Sequence, residues 1–398
     1  MLLSLIRHTM NTKLIQVGAG LAATTLTALA GDVASVPVES SYNSGDWCST
    51  LKDIGKIYKD KSNPYIQEIK VFGRFHYQWG YTDGTYNGVD FSGNGDEVRR
   101  FRIGTSVKFL SGFKFSARAN LEKGDFRETQ FGYNNFDEIN LSYDFGDRFG
   151  FEDVNVGYGR YKIGFGGEEI GSSKKIKTIE RSNLNNNLAP GRATGAMFKA
   201  KRGGVDYTAS VFSTDVDDET FGSWDGGVGY WLAAEFEALG GDITAQLLGY
   251  DGAVGNDVSR NVKWATSLTY ETEIGNWELF TNASYGEVNG SDLYGFVIMP
   301  STFLIEDKLE AVFRYQYANS SADQIRINGG SVRDVANFEL GPSTVQRGDL
   351  NHTIYAGLNY YLCGNNAKVM VGAEYETLRG DVVDLEATTL WAAFRMYF

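Results

Sequence analysis

The chain has 398 residues, among them 48 Gly, 23 Tyr, 25 Phe and 7 Trp but only 5 Pro, a mixture that disfavours a helical or α/β enzyme and suits many strands joined by tight turns. A formal charge of −13 leaves no broad basic footprint for nucleic acid. Two cysteines cannot build a disulfide-dense scaffold or a four-cysteine zinc site.

Met10-Asn11-Thr12-Lys13 opens a short basic stretch, residues 14–26 are apolar and small, and Ala28-Leu29-Ala30 is an A-x-A cleavage pattern. Residues 1–30 are therefore expected to be a cleaved secretory signal, the alternative being a buried N-terminal helix. Cleavage would remove Arg7 and Lys13 and leave 35 basic against 50 acidic residues. Residues 31–67 form an N-terminal extension in which Trp47, Leu51, Ile54 and Tyr58 recur at helical spacing. Beyond the signal no apolar run approaches the ~18–20 residues of a membrane helix.

From residue 68 to residue 398 the pattern changes to period 2. Ile69, Val71, Phe75, Tyr77 and Trp79 oppose Lys70, Arg74, His76 and Gln78, and the same habit recurs about every twenty residues, through sixteen runs. The fifth run, 154–165, changes parity, which suggests a bulge near Gly157 or Gly159. Short connections at 111–112, 203–204, 239–241, 274–275 and 363–366 alternate with long ones at 80–96, 166–191, 214–226 and 320–349. Trp79, Phe109, Phe113, Tyr250, Tyr270, Trp277, Tyr317, Tyr361, Tyr375 and Trp391 fall near run ends, where interfacial girdles belong. The expected fold is all-β: a transmembrane antiparallel barrel of about 16 strands, with long outer loops and short periplasmic turns. A spanning sheet can have no free edge in hydrocarbon, so the last run must pair with the first. Lipid of the outer membrane is the expected surroundings.

No complete catalytic or phosphate-loop motif is present and only His76 and His352 remain after cleavage, so neither an enzyme nor a metal or cofactor site is expected. The informative constellation is basic. Arg74, Arg100, Arg102, Lys108, Lys114, Arg118, Lys199 and Lys201 lie on polar faces, with Arg314 and Arg395 later. The long connection after the fifth run, 166–191, and its end carry Lys174, Lys175, Lys177, Arg181 and Arg192 against Glu168, Glu169 and Glu180, and Ser172 and Ser173 are candidate caps for a short helix. Basic groups at a narrow waist concentrate anions. The competing reading pairs them with lumen acids such as Glu122, Glu138, Asp144, Glu310, Glu374 and Glu376. Cys48, in the extension, and Cys363, in a short turn, would share one oxidising compartment, and a disulfide between them is expected to tie the extension to the barrel rim, the alternative being two separate thiols.

Glu97-Val98-Arg99-Arg100-Phe101-Arg102-Ile103-Gly104 resembles the second strand of the phosphate-selective porin O and P family. Residues 159–181 and 185–195 are similar to that family's stretch around its constriction loop, in which Glu-Glu, Ser-Ser, Ile-Glu-Arg-Ser and Gly-Arg-x-Thr-Gly follow in order. The chain's end, with Leu390, Ala392, Phe394, Met396 and Phe398 on one face, resembles the terminal signal of bacterial outer-membrane barrels. The likeness is close over 97–121, 159–195 and the C-terminus. It implies a homotrimeric outer-membrane porin passing small inorganic anions, phosphate or polyphosphate among them. Arg100, Arg102, Lys174, Lys175, Lys177 and Arg181 would then line the pore. The alternatives are a non-selective porin and an adhesin or envelope-tethering barrel.

Overall fold

The computed structural model describes residues 47–124, 126–214, 224, 226–252 and 260–398. The expected signal, 1–30, and the first part of the extension lie outside them, as does most of 214–226. After helix α1 (Trp47–Asp53) and strand β1 (Lys56–Lys59), sixteen strands follow. They are β2 (Ile66–Tyr86), β3 (Val89–Phe109), β4 (Phe113–Lys123), β5 (Gln130–Arg148), β6 (Phe151–Ile163), β7 (Gly191–Arg202), β8 (Val205–Ser213) and β9 (Gly227–Ala238). The second half comprises β10 (Gly241–Gly252), β11 (Val262–Ile274), β12 (Trp277–Val288), β13 (Ser291–Ile305), β14 (Leu309–Ser320), β15 (Leu350–Tyr361), β16 (Ala367–Arg379) and β17 (Asp384–Tyr397). Each pairs antiparallel with the next, and β17 pairs with β2 from Leu385↔Tyr86 to Tyr397↔Arg74. The sheet therefore closes, which satisfies the backbone without a free edge. No helix among the described residues is long and apolar enough to cross a membrane, a fact silent about strands.

Alternation gives the barrel two faces. In β13 Tyr294, Phe296 and Ile298 are exposed outward while Leu293, Val297 and Met299 are buried inward. At the long-loop end Trp264, Tyr285, Tyr294, Tyr317 and His352 form a row of rings 5.3–6.5 Å apart across five strands. Phe109, Phe113, Tyr143 and Phe145 form another near the short turns. Tyr361 and Trp391, expected in a girdle, are instead buried inside, Tyr361 bonding Glu310.

Four local expectations change. The connection 80–96 is no loop: β2 and β3 run on as a hairpin that turns only at Asn87-Gly88, whose φ values of 49° and 78° are those a two-residue primed turn needs. The helical spacing of 47–59 is realised only to Asp53, because Lys56–Lys59 is recruited as strand β1. Below the end of β17, strand β2 would present a bare edge. Phe398 exchanges backbone bonds with Gly73 (3.2 and 3.3 Å), Val71 N–H donates to Gly55 O (2.8 Å), and β1 covers the edge onward to Glu68. The barrel thus starts two residues earlier than expected, at Ile66. The ladder of β6 is unbroken across Gly157 and Gly159; its register shift lies between Glu152 and Asn155.

Cys48 in α1 is bonded to Cys363 in the turn between β15 and β16, with Cα atoms 5.3 Å apart.

Two long connections fold into the barrel. The one joining β6 to β7 (164–190, the strap) contains helices α2 (Gly167–Ile170) and α3 (Asn183–Leu188). Ser182, not Ser172 or Ser173, is the cap, accepting from Asn185 N–H at 3.2 Å. Leu184 and Leu188 of α3 are buried in one apolar cluster with the inward Phe212, Trp231, Leu248, Leu293 and Val297. At about 1.5–3 kcal/mol per fully buried leucine, this fastens the strap to one side of the barrel. The connection from β14 to β15 (321–349) contains α4 (Val332–Leu340), whose Val332, Val335 and Ala336 join a cluster with Tyr86, Phe91 and Phe126 near the hairpin tip. Asn328 ties the two connections together, donating to Arg181 O (2.7 Å) and accepting from Asn186 (2.8 Å).

Candidate functional site

Six neighbouring strands each send one charged side chain to a single interior cavity of about 210 Å3: Arg74 from β2, Arg100 from β3, Arg118 from β4, Glu138 from β5, Lys162 from β6 and Arg192 from β7. The strap supplies the opposite wall with Ile170, Ser172, Ser173 and Arg181. Arg74, Arg100, Arg118, Arg181 and Arg192 were expected here; Lys162 was not.

The cations are held apart by a few carboxylates. Asp137, 2% exposed, binds Arg192 (2.8 Å), Arg102 (3.1 Å) and Arg118 Nε (2.6 Å), while Arg118 also reaches Glu138 at 2.6 Å. Asp137 lies out of step with the alternation of β5. It turns inward because the ladder with β4 slips between Arg118↔Glu138 and Ala119↔Phe136, a bulge that leaves Asp137 unpaired. Arg99 is brought in the same way, by the slip between His76↔Arg100 and Tyr77↔Val98, and it binds Glu180 at 2.7 Å. Glu169 of the strap takes Arg181 and Lys162, both at 2.9 Å. Against the penalty of burial, those two cations hold its carboxyl down to about 2. Glu180 is likewise kept at about 2, burial being outweighed by Arg99 and Arg100.

Six cations (Arg74, Arg100, Arg118, Lys162, Arg181 and Arg192) line the cavity against one carboxylate, Glu138, with Asp137 bonded to Arg118 and Arg192 and Glu169 to Lys162 and Arg181. Arg74 donates to Ser173 Oγ, yet its Nε and the Nη1 of Arg100 are buried with no hydrogen-bond partner in the protein. Buried donors of this kind are costly unless something accepts from them. An anion in the cavity would do so.

The remaining candidates sit elsewhere. Lys108 lies at the short-turn end, 3.6 Å from Glu68, and does not reach the cavity. Arg102 is behind the wall on Asp137. Lys177 is neutralised, binding Glu278 (2.6 Å) and Glu310 (2.7 Å). Lys175 is exposed, and Lys174 sits 4.3 Å from the Tyr397 ring. Arg314 and Arg395 are spent on the strap: Arg314 bonds Glu168 (3.0 Å) and Glu180 O (2.7 Å), and Arg395 bonds Ile179 O. No group of His, Cys, Asp and Glu able to hold a metal ion occurs among the described residues.

The sequence pattern of the phosphate-selective porin O and P family matches residues 69–303, well over half of the chain. The chain belongs to this family. It is a porin-like outer-membrane channel, and its barrel carries the strap inside. Among solved structures, the anion-selective porin of Comamonas acidovorans aligns with a TM-score of 0.55 at 12% identity, covering 83% of this chain and 99% of that one. The channel DcaP of Acinetobacter baumannii gives 0.53 at 12% identity, with 85% and 99% covered. OmpT of Vibrio cholerae, described in a trimer form, gives 0.52 at 10% identity, with 83% and 99% covered. Identities this low carry the fold of the porin barrel and nothing finer. A comparison with curated protein sequences finds no match.

Proposed function

We propose that this porin is a diffusion channel preferring small inorganic anions, with oxyanions of the phosphate class as its best ligands. The observation that carries the reading is the excess of cations around the cavity between the strap and strands β2–β7, together with the unpartnered guanidinium nitrogens of Arg74 and Arg100. A low-dielectric wall focuses the field of such groups and offsets the dehydration of an entering anion. Passage is passive and involves no covalent step. The porin works in the Gram-negative outer membrane after removal of residues 1–30, and as a homotrimer, in keeping with the trimer form of OmpT of Vibrio cholerae.

The test is planar-bilayer recording in chloride, with inorganic phosphate added as a probe. Ohmic steps that phosphate reduces by dwelling in the cavity are expected. Steps indifferent to phosphate would leave a non-selective porin, and an absence of steps would favour the adhesin reading.

A further inference from the structure

On the inner face of β14–β17 stands a row of side chains that never reaches the cavity. Arg314 (0% exposed) donates to Glu180 O at 2.7 Å, Asn359 (0%) to Lys177 O at 2.9 Å, Lys368 (0%) to Ile176 O at 2.8 Å, and Arg395 (1%) to Ile179 O. Four strands in succession each give one donor, and the acceptors are four backbone carbonyls within residues 176–180. The strap has no secondary structure there to satisfy these groups, as α2 ends at Ile170 and α3 begins at Asn183.

We propose that Arg314, Asn359, Lys368 and Arg395 are the positioning residues of the constriction: they fix the bore, and favour anions, by capturing the strap's carbonyl oxygens rather than by touching the solute. Inward-pointing carbonyl oxygens attract cations. With these four turned to the β14–β17 wall, the strap offers the cavity Ser172, Ser173 and Arg181 instead. Arg314 and Lys368 have further partners, Glu168 (3.0 Å) for the first and Asn365 Oδ1 (3.2 Å) for the second, so their own orientations are locked. The inference rests on reading the cavity as the anion route.

Asn359 separates this idea from a plain field effect, because it does the same task without a charge. In Asn359→Leu, strap amides over 174–182 should exchange hydrogen on the order of tenfold faster in the folded detergent-solubilised porin, as loss of a buried hydrogen bond allows. Open-channel noise should rise and anion preference should fall. Unchanged exchange and unchanged preference in Asn359→Leu, beside a lower preference in Lys368→Met, would overturn the proposal in favour of a direct field. If Asn359→Leu does not fold, Arg395→Lys, which keeps the charge on a shorter-reaching donor, is read by the same exchange measurement; faster strap exchange supports the proposal and wild-type exchange overturns it. Should the wild type pass no anions at all, the anion reading fails while the exchange result still judges the positioning row.

Discussion

Lys174, in the strap, carries a charge within reach of mild pH. Its burial, and then Arg74 and Arg118, push its ammonium down to about 8. The group is charged below that value and neutral above it, so anion preference should decline as pH rises through about 8. Reversal potentials measured along a pH series should show a larger step in the wild type than in Lys174→Met; steps of equal size in the two would contradict the assignment. Lys177 should behave in the opposite manner. Its charge is already spent on Glu278 and Glu310, so Lys177→Met should barely alter ion preference. It leaves the 1%-exposed Glu310 without its cation, at a cost of about 3 kcal/mol, and a denaturant midpoint in micelles equal to wild type would contradict this. Parity in the sequence was enough to aim Arg74, Arg100 and Arg118 inward. It could not reveal Asp137 or Arg99, whose inward turn depends on bulges that become visible only in the pairing.

Among the elements, the β2–β3 hairpin explains both what the pattern revealed and what it concealed. Sixteen runs of alternation are legible because one face meets lipid and the other the interior, and all sixteen occur as strands. The outer part of the hairpin was hidden because Gly80, Gly84, Gly93 and Gly95 interrupt the alternation. These glycines are packing positions: a Cβ at Gly84 would lie 2.6 Å from the Cβ of Ala387, and one at Gly95 2.5 Å from the Phe126 ring. Gly84→Val should therefore pry β2 from β17 at the outer end, costing about 1–3 kcal/mol by overpacking. Hydrogen exchange at 385–389 should accelerate while the lower seam stays protected; uniform protection would count against this. Helical spacing in 47–59 failed for a different reason, the demand of β2's bare edge for a partner, which no local pattern encodes.

At the scale of the whole molecule, closure rests on the β2–β17 seam, and the Cys48–Cys363 bond crosses it. It joins the segment that runs into β2 to the turn on the far side of β16 and β17, over 315 residues. Reduction, or Cys48→Ser with Cys363→Ser, should destabilise the barrel by about 2–4 kcal/mol. The temperature at which the folded band converts to the unfolded band in detergent gels should fall, and an unchanged temperature would assign closure to the hydrogen-bonded seam alone. That closed cylinder matters because it holds the strap against one wall and leaves the basic wall of β2–β7 facing the cavity. The most direct test of this arrangement is the reversal potential under a KCl gradient, wild type beside Arg74→Gln with Arg100→Gln. An anion-selective potential that moves toward zero in the double variant is predicted. A cation-selective wild type, or a double variant indistinguishable from it, would contradict the account.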